Sequence, residues 1–334
     1  MENTYFSSVV DTLIGLYYFY TYSPNRMRQL QAIADIMEEV VLKPEKAQGT
    51  RWIDHKVRAL KKMKSNWSLI VSHLESFHEN TKNKDQDRAK AKGYLLKLKR
   101  LKFLWYMHFM LDLLNEIAKL SLLMQRDDVT VSQVVKKVEI VCSEIYILLN
   151  GNGDNLTEFY ETLIDDKYQN QIVSRVGVPP NFDNTEKAHI TRGMTENIRN
   201  RFQNLHQDNR FSSCIVLDQK NWPAEKDNLL TYGNRQIKTI YDSFEALLQR
   251  IGCDINNALD EWKEMKIHIN SNDHLKNLHP LNLWQRLTNE DGNREVKEHS
   301  NILKIILLTE VYPLSTAVCE RIFCDEENKI GLAK

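Results

Sequence analysis

Residues 103–123 read FLWYMHFMLDLLNEIAKLSLL, the most apolar run of the chain, punctuated by His108, Asp112, Glu116 and Lys119. With polar residues at that spacing the run is a buried amphipathic helix, not a membrane span. The helical pattern extends it to about Arg88–Gln125, long for a globular domain, so it is expected to act as a central spine around which other helices pack.

The rest of the chain repeats helical periodicity outward from this spine. Upstream, Tyr5–Tyr20 carries Val9, Leu13, Leu16 and Tyr17 on one face, and Ser23-Pro24 starts a second helix to about Val41. The loop Lys43–Thr50 leads into a helix from about Asp54 to Phe77, and Thr81–Asp87 is a charged linker. Downstream, Val131–Leu149 ends at the breaker Asn150-Gly151-Asn152-Gly153, and Gly177–Asn184, with Pro179-Pro180, is expected to be a flexible loop. Helices over Glu186–Gln207, Leu229–Ile251 and Ile255–Ile267 complete the pattern, the last two paired around Gly252. In ALDEW (258–262) the expected orientation is Leu259 and Trp262 inward, with the acids outward. Only Ile215–Leu217 looks β-like. With 11 Gly and 7 Pro in 334 residues, the expected fold class is all-α.

The formal net charge is zero, but its distribution is uneven. Between residues 43 and 102, seventeen Lys/Arg stand against six Asp/Glu. Such a segment suits either a solvated surface or a nucleic-acid backbone, tracked here through Arg58, Lys61, Lys62, Lys64, Lys97, Lys99, Arg100 and Lys102. The five cysteines are scattered without a CxxC pair, which argues against a disulfide framework or a zinc site. The opening MENTYFSS has neither a basic n-region nor an apolar core, so no signal peptide is read there. His73 and His78, five apart, do not share one helix face as a ligand pair would.

Two blocks carry a more specific message. Residues 301–323, NILKIILLTEVYPLSTAVCERIF, run from an apolar helix into Tyr312-Pro313, and Ser315 or Thr316 can cap a new helix bearing Glu320 and Arg321. This resembles the C-terminal dimerisation block of the hAT (hobo and Activator type) transposases, P-x-S-[TS]-A-x-[CS]-E-R-x-F-S, through Pro313, Ser315, Thr316, Ala317, Cys319, Glu320, Arg321 and Phe323. The second block is KAQGTRWIDHKVRAL, 46–60, in which Thr50, Arg51, Trp52 and His55 match a T-R-W-x-x-H motif at the entry to the family's helical insertion domain. An Arg beside a Trp offers a phosphate fork and a flat face on which a base can stack, worth about 1–3 kcal/mol. The alternative is that Trp52 anchors the loop against the core.

The resemblance implies a helical insertion domain over 1–290 and a partial dimerisation region over 296–334, the C-terminal helices of an RNase H-like fold whose sheet is absent. It makes Glu320 the third acidic residue of a two-metal site. The family's two strand-borne Asp residues and its C-x-x-H motif are missing from this sequence, and Asp11 and Asp35 lie in helical patterns. Glu320 is therefore expected to be vestigial, the chain non-enzymatic and without cofactor, with Mg²⁺ relevant only if carboxylates come from elsewhere. Where the family continues S-x-M-N-x-I-K, this chain reads Cys324-Asp325-Glu326 and stops at Lys334, so a truncated dimerisation domain is expected. The expected property is dimerisation, with self or another hAT-type chain, through Ile302, Ile305, Ile306, Leu307, Pro313, Arg321 and Phe323. The alternative is DNA contact through Arg51, Trp52, His55, Arg58, Lys61 and Lys62. A nuclear location and no membrane association complete the expectation.

Overall fold

The computed structural model describes residues 4–37, 40–44, 46, 52–126, 129–207, 209–289 and 297–310. These are predominantly helical, as the composition predicts. The helices are α1 (Thr4–Thr21), α2 (Pro24–Met37), α3 (Trp52–Glu79), α4 (Asp85–Leu98), α5 (Leu101–Leu123), α6 (Val131–Asn150), α7 (Asp154–Thr162) and α8 (Phe182–Gln207). They continue with α9 (Asn209–Ser213), α10 (Lys226–Thr231), α11 (Asn234–Ser243), α12 (Glu245–Arg250), α13 (Ile255–Ser271), α14 (Asp273–Asn277), α15 (Pro280–Thr288) and α16 (Ser300–Glu310). A two-residue hairpin, β1 (Lys167–Tyr168) and β2 (Gln171–Ile172), pairs antiparallel, with Lys167 opposite Ile172. Among the described residues no helix is long and apolar enough to cross a membrane. The packing divides into two compact units, one of residues 4–122 and 141–197, the other of 123–140 and 198–310. The boundary expected between 290 and 296 falls largely outside the described residues, and α16 beyond it packs within the second unit.

In the first unit α5 is the spine that its sequence predicts, since every residue from Phe103 to Leu114 is buried. Its polar residues are satisfied inside. His108 donates Nδ1–H to the Leu104 carbonyl at 2.8 Å, leaving Nε2 to accept from the Tyr168 hydroxyl at 3.0 Å, and burial pushes its pKa down to about 4. Asp112 reaches across to the start of α7, accepting from the backbone N–H of Asn155 and Leu156, both at 2.9 Å, and from the Asn155 side chain at 2.8 Å. A residue on α5 thus supplies the N-cap that Gly153 cannot, and a Cβ on Gly153 would overlap the Asp112 carboxylate. A similar pairing buries His73 between Tyr20, whose hydroxyl meets Nδ1 at 2.9 Å, and Gln29; burial again lowers the imidazole pKa to about 4.

The single helix expected over Arg88–Gln125 is two helices. At Lys99-Arg100 a distant residue takes over the backbone bonds: Ser174 N–H donates to the Lys99 carbonyl at 2.7 Å and its carbonyl accepts from Leu101 N–H at 2.9 Å. That parallel bridge closes α4 and restarts the chain as α5. The helix expected to reach Val41 is described as helical only to Met37, and Val40–Pro44 is not helical. There the buried Asn66 side chain pairs with both the N–H and the C=O of Leu42.

The second unit is built on α13. Trp262, Trp284 and Trp222 each donate an indole N–H to a backbone carbonyl, of Tyr232, Leu217 and Val216 at 2.9, 2.8 and 2.7 Å. The expected Leu229–Ile251 helix is broken into α10, α11 and α12. Gly233, at φ +81°, separates the first two and lies against Trp262 and Val216, leaving little room for a side chain. Lys266, fully buried, closes the end of α10 by donating to the carbonyls of Leu229 (2.6 Å), Leu230 (3.1 Å) and Tyr232 (2.6 Å). Burial depresses its pKa to about 8. The β-like run Ile215–Leu217 lies in a 3₁₀ turn that sends Val216 and Leu217 into the same core.

Candidate nucleic-acid face and candidate dimerisation helix

The helical spacing of α3 places Asp54, Arg58, Lys61 and Ser65 on one exposed stripe, with His55 and Lys62 half-buried along its flank. Four of the six residues singled out for DNA contact therefore share a face. Arg58 donates to His55 Nδ1 at 3.1 Å and pairs with Asp54 at 3.2 Å. Because a guanidinium can only donate, His55 carries its proton on Nε2, pointing a donor away from the pair. Trp52 opens the described part of α3, so the T-R-W-x-x-H block leads directly onto this stripe. Arg51 and the Trp52 side chain lie outside what the structure describes.

The wider basic segment is less cationic in space than in sequence. Lys64 bonds Glu158 at 2.6 Å and Asn155 at 2.9 Å. Lys99 pairs with Glu75 at 2.7 Å. Lys102 sits 3.7 Å from Glu186, over the rings of Tyr5, Tyr106 and Phe182. These three are internal ties, leaving Lys61, Lys97 and Arg100 as exposed cations with no ion pair among the described residues. Of the expected track of eight cations, Lys64, Lys99 and Lys102 are tied internally, and the exposed members divide between α3 and the α4–α5 junction.

The apolar segment expected to dimerise is α16. Ile302, Ile305 and Ile306 are fully buried, with Leu303 beside them, in the core made with α13, α15 and α11. Of the four apolar residues singled out, only Leu307 is substantially exposed, at 44%. The helix start is fixed by Glu261, which accepts from the Ile302 N–H at 2.8 Å and from the Asn301 side chain at 2.6 Å. Asn301 in turn accepts from the Asp254 N–H at 3.0 Å. Glu261 is thus not simply one of the outward acids of ALDEW; it caps a helix forty residues downstream. A partner chain cannot reach Ile302, Ile305 or Ile306 without unpacking this unit. Pro313, Glu320, Arg321 and Phe323 lie outside the described residues.

Two helix-capping pairs have no signal in the linear sequence. Glu261–Asn301 and Asp112–Asn155 are joined only by tertiary packing, and neither follows a local capping pattern. Among the described residues no cluster of His, Cys, Asp and Glu has the arrangement of a metal site. No family model matches the chain, and no solved structure matches it.

Proposed function

We propose that this chain is a non-catalytic protein derived from a hAT transposase, comprising its helical insertion domain and the C-terminal helices of an RNase H-like fold, and that it contacts the DNA backbone along the start of α3. The observation that carries this reading is the shared face of His55, Arg58, Lys61 and Lys62, entered directly from the Thr50-Arg51-Trp52 block. Side-chain donors in such a row match phosphates spaced along a duplex, and Trp52 adds a surface for stacking. The proposal assigns the chain no hydrolysis of its own, since two-metal chemistry at Glu320 needs two further carboxylates, with Mg²⁺, from another chain. It also places the protein in the nucleus, where a DNA-contacting regulator acts. The test is retention of duplex DNA by the full chain. Trp52→Ala combined with Lys61→Gln and Lys62→Gln should abolish it, and undiminished retention would sink the reading.

A second reading, self-association or pairing with another hAT-type chain, is favoured by the sequence fit of Pro313, Arg321 and Phe323. With Ile302, Ile305 and Ile306 committed to the chain's own core, this contact would draw on Leu307 and on residues beyond 310. Sedimentation showing only monomer at roughly tens of micromolar would remove it.

A further inference from the structure

A cleft of about 520 Å³ lies in the first unit between the start of α5, the end of α7 and the segment leading into α8. None of its lining residues belongs to α3. Its volume falls within the roughly 300–1,000 Å³ typical of small-molecule sites. The inner wall is apolar and aromatic, with Trp105, Phe159 and Phe182 all buried. The rim is polar: Tyr160, Arg175, Asn181, Asp183 and Asn184 line the same space.

The hydrogen bonds of this rim leave a defined set of groups unspent. Tyr160 accepts from the Trp105 indole at 3.1 Å and donates to Asp183 Oδ2, so its hydroxyl is committed in both roles. Burial, reinforced by that carboxylate, raises the Tyr160 pKa and keeps the phenol protonated. Asp183 is thereby fixed in place, with Oδ1 accepting no hydrogen bond among the described residues. Arg175, itself exposed, uses Nε on Asp166 at 2.5 Å, and its terminal nitrogens make no hydrogen bond among the described residues. The side chains of Asn181 and Asn184, both exposed, make no hydrogen bond among the described residues.

The unspent groups are two carboxamides, a carboxylate oxygen and a guanidinium fork beside a tyrosine ring that is 36% exposed. A purely apolar ligand would leave these groups unpaired and cost desolvation. Carboxamides both donate and accept in one plane, which matches the edge of a nucleobase; the fork matches a phosphate, and the ring face suits stacking. From these complementarities we infer that the cleft binds a nucleotide, its base against Tyr160 and along Asn181, Asp183 and Asn184, its phosphate on Arg175. The inference is independent of DNA contact at α3 and stands if that contact fails.

Two sources present this chemistry, a free nucleotide and an unstacked base of a single strand. Calorimetric titration of the full chain with AMP, GMP, adenosine and a single-stranded tetranucleotide separates them. Saturable binding of AMP or GMP is expected for a free ligand; binding of the tetranucleotide alone identifies the strand. Arg175→Ala should weaken whichever phosphorylated ligand binds roughly tenfold and, where adenosine binds, leave its affinity unchanged. Asn184→Ala should weaken nucleotide and adenosine alike. Both residues are exposed, and circular dichroism of each variant checks the fold. The inference is overturned if none of these ligands saturates by about 5 mM, if inorganic phosphate alone binds, or if neither substitution changes the affinity.

Discussion

Truncating Ile305 to Ala separates a core helix from an interface helix. Ile305 is fully buried in the α16–α13 contact, so the change removes three buried carbons, at ~0.8 kcal/mol each about 2.4 kcal/mol of transfer free energy. If roughly 60 Å³ stays empty, ~24 cal/mol per Å³ adds about 1.5 kcal/mol, for a total of about 3–4 kcal/mol. Leu307→Ala is the control: at 44% exposure it should lose about half the transfer contribution and leave almost no cavity. Amide hydrogen exchange of α13 and α16 reads the difference locally, without requiring the two units to unfold together. Ile305→Ala should speed exchange there by about a hundred-fold to a thousand-fold, and Leu307→Ala by about tenfold or less, with no change in sedimentation for Ile305→Ala. If Ile305→Ala leaves exchange within a factor of about three and instead converts a dimer to monomer, α16 is an interface and the packing described above is wrong.

Other expectations are as specific. Asp112→Ala should destabilise the first unit by about 2–4 kcal/mol, because the α7 cap and a charged acceptor are lost together; Gly153→Ala should act on the same pair, so the double variant should fall short of the sum in chemical denaturation. The lowered pKa of His73 and His108, both about 4, gives an acid-side dependence: the unfolded chain takes up protons below about 6.5 that the folded one refuses, so stability is present above that pH and is lost as pH falls toward 4. Urea midpoints against pH should show this fall, and His108→Gln should remove about half of it. Lys266 acts in the same direction in a higher window, since from about pH 8 to 10 the folded amine sheds a proton that the unfolded one keeps; stability should rise there, and Lys266→Met should remove the rise.

Helical character and the spine were legible because both rest on periodicity, which sequence displays directly. Residues 103–123 read as an amphipathic helix, whereas α5 is buried on every side from Phe103 to Leu114, its His108 and Asp112 being satisfied by Tyr168 and the start of α7. The breaks were legible only where the breaking residue is local. Ser23-Pro24 and the Gly-rich stretch before α7 end or start helices where expected. The interruption at Lys99-Arg100 was invisible, because the competing donor and acceptor belong to Ser174, seventy-odd residues away.

The same distinction divides the candidate sites. The row His55, Arg58, Lys61 and Lys62 follows from helical spacing alone. That Lys64, Lys99 and Lys102 are occupied by Glu158, Glu75 and Glu186 does not, because each partner lies on another element. Apolar residues in α16 read equally well as core or as interface until α13 is seen against them. Hydrophobicity states that a face is covered, and only the fold states by what.

The salt dependence of duplex DNA binding tests the proposed α3 contact most directly. Each phosphate neutralised by a lysine or arginine contributes about −0.9 to the slope of log K against log salt. Fluorescence anisotropy of a labelled duplex, titrated with the full chain at several salt concentrations, should give a steep slope for the wild type. Replacing Arg58, Lys61 and Lys62 together by Gln should lower that slope by about 2–3, with the far-ultraviolet circular dichroism unchanged. A slope that does not move on removing all three cations, or a wild-type chain that binds no duplex at low salt, would contradict DNA contact at this face.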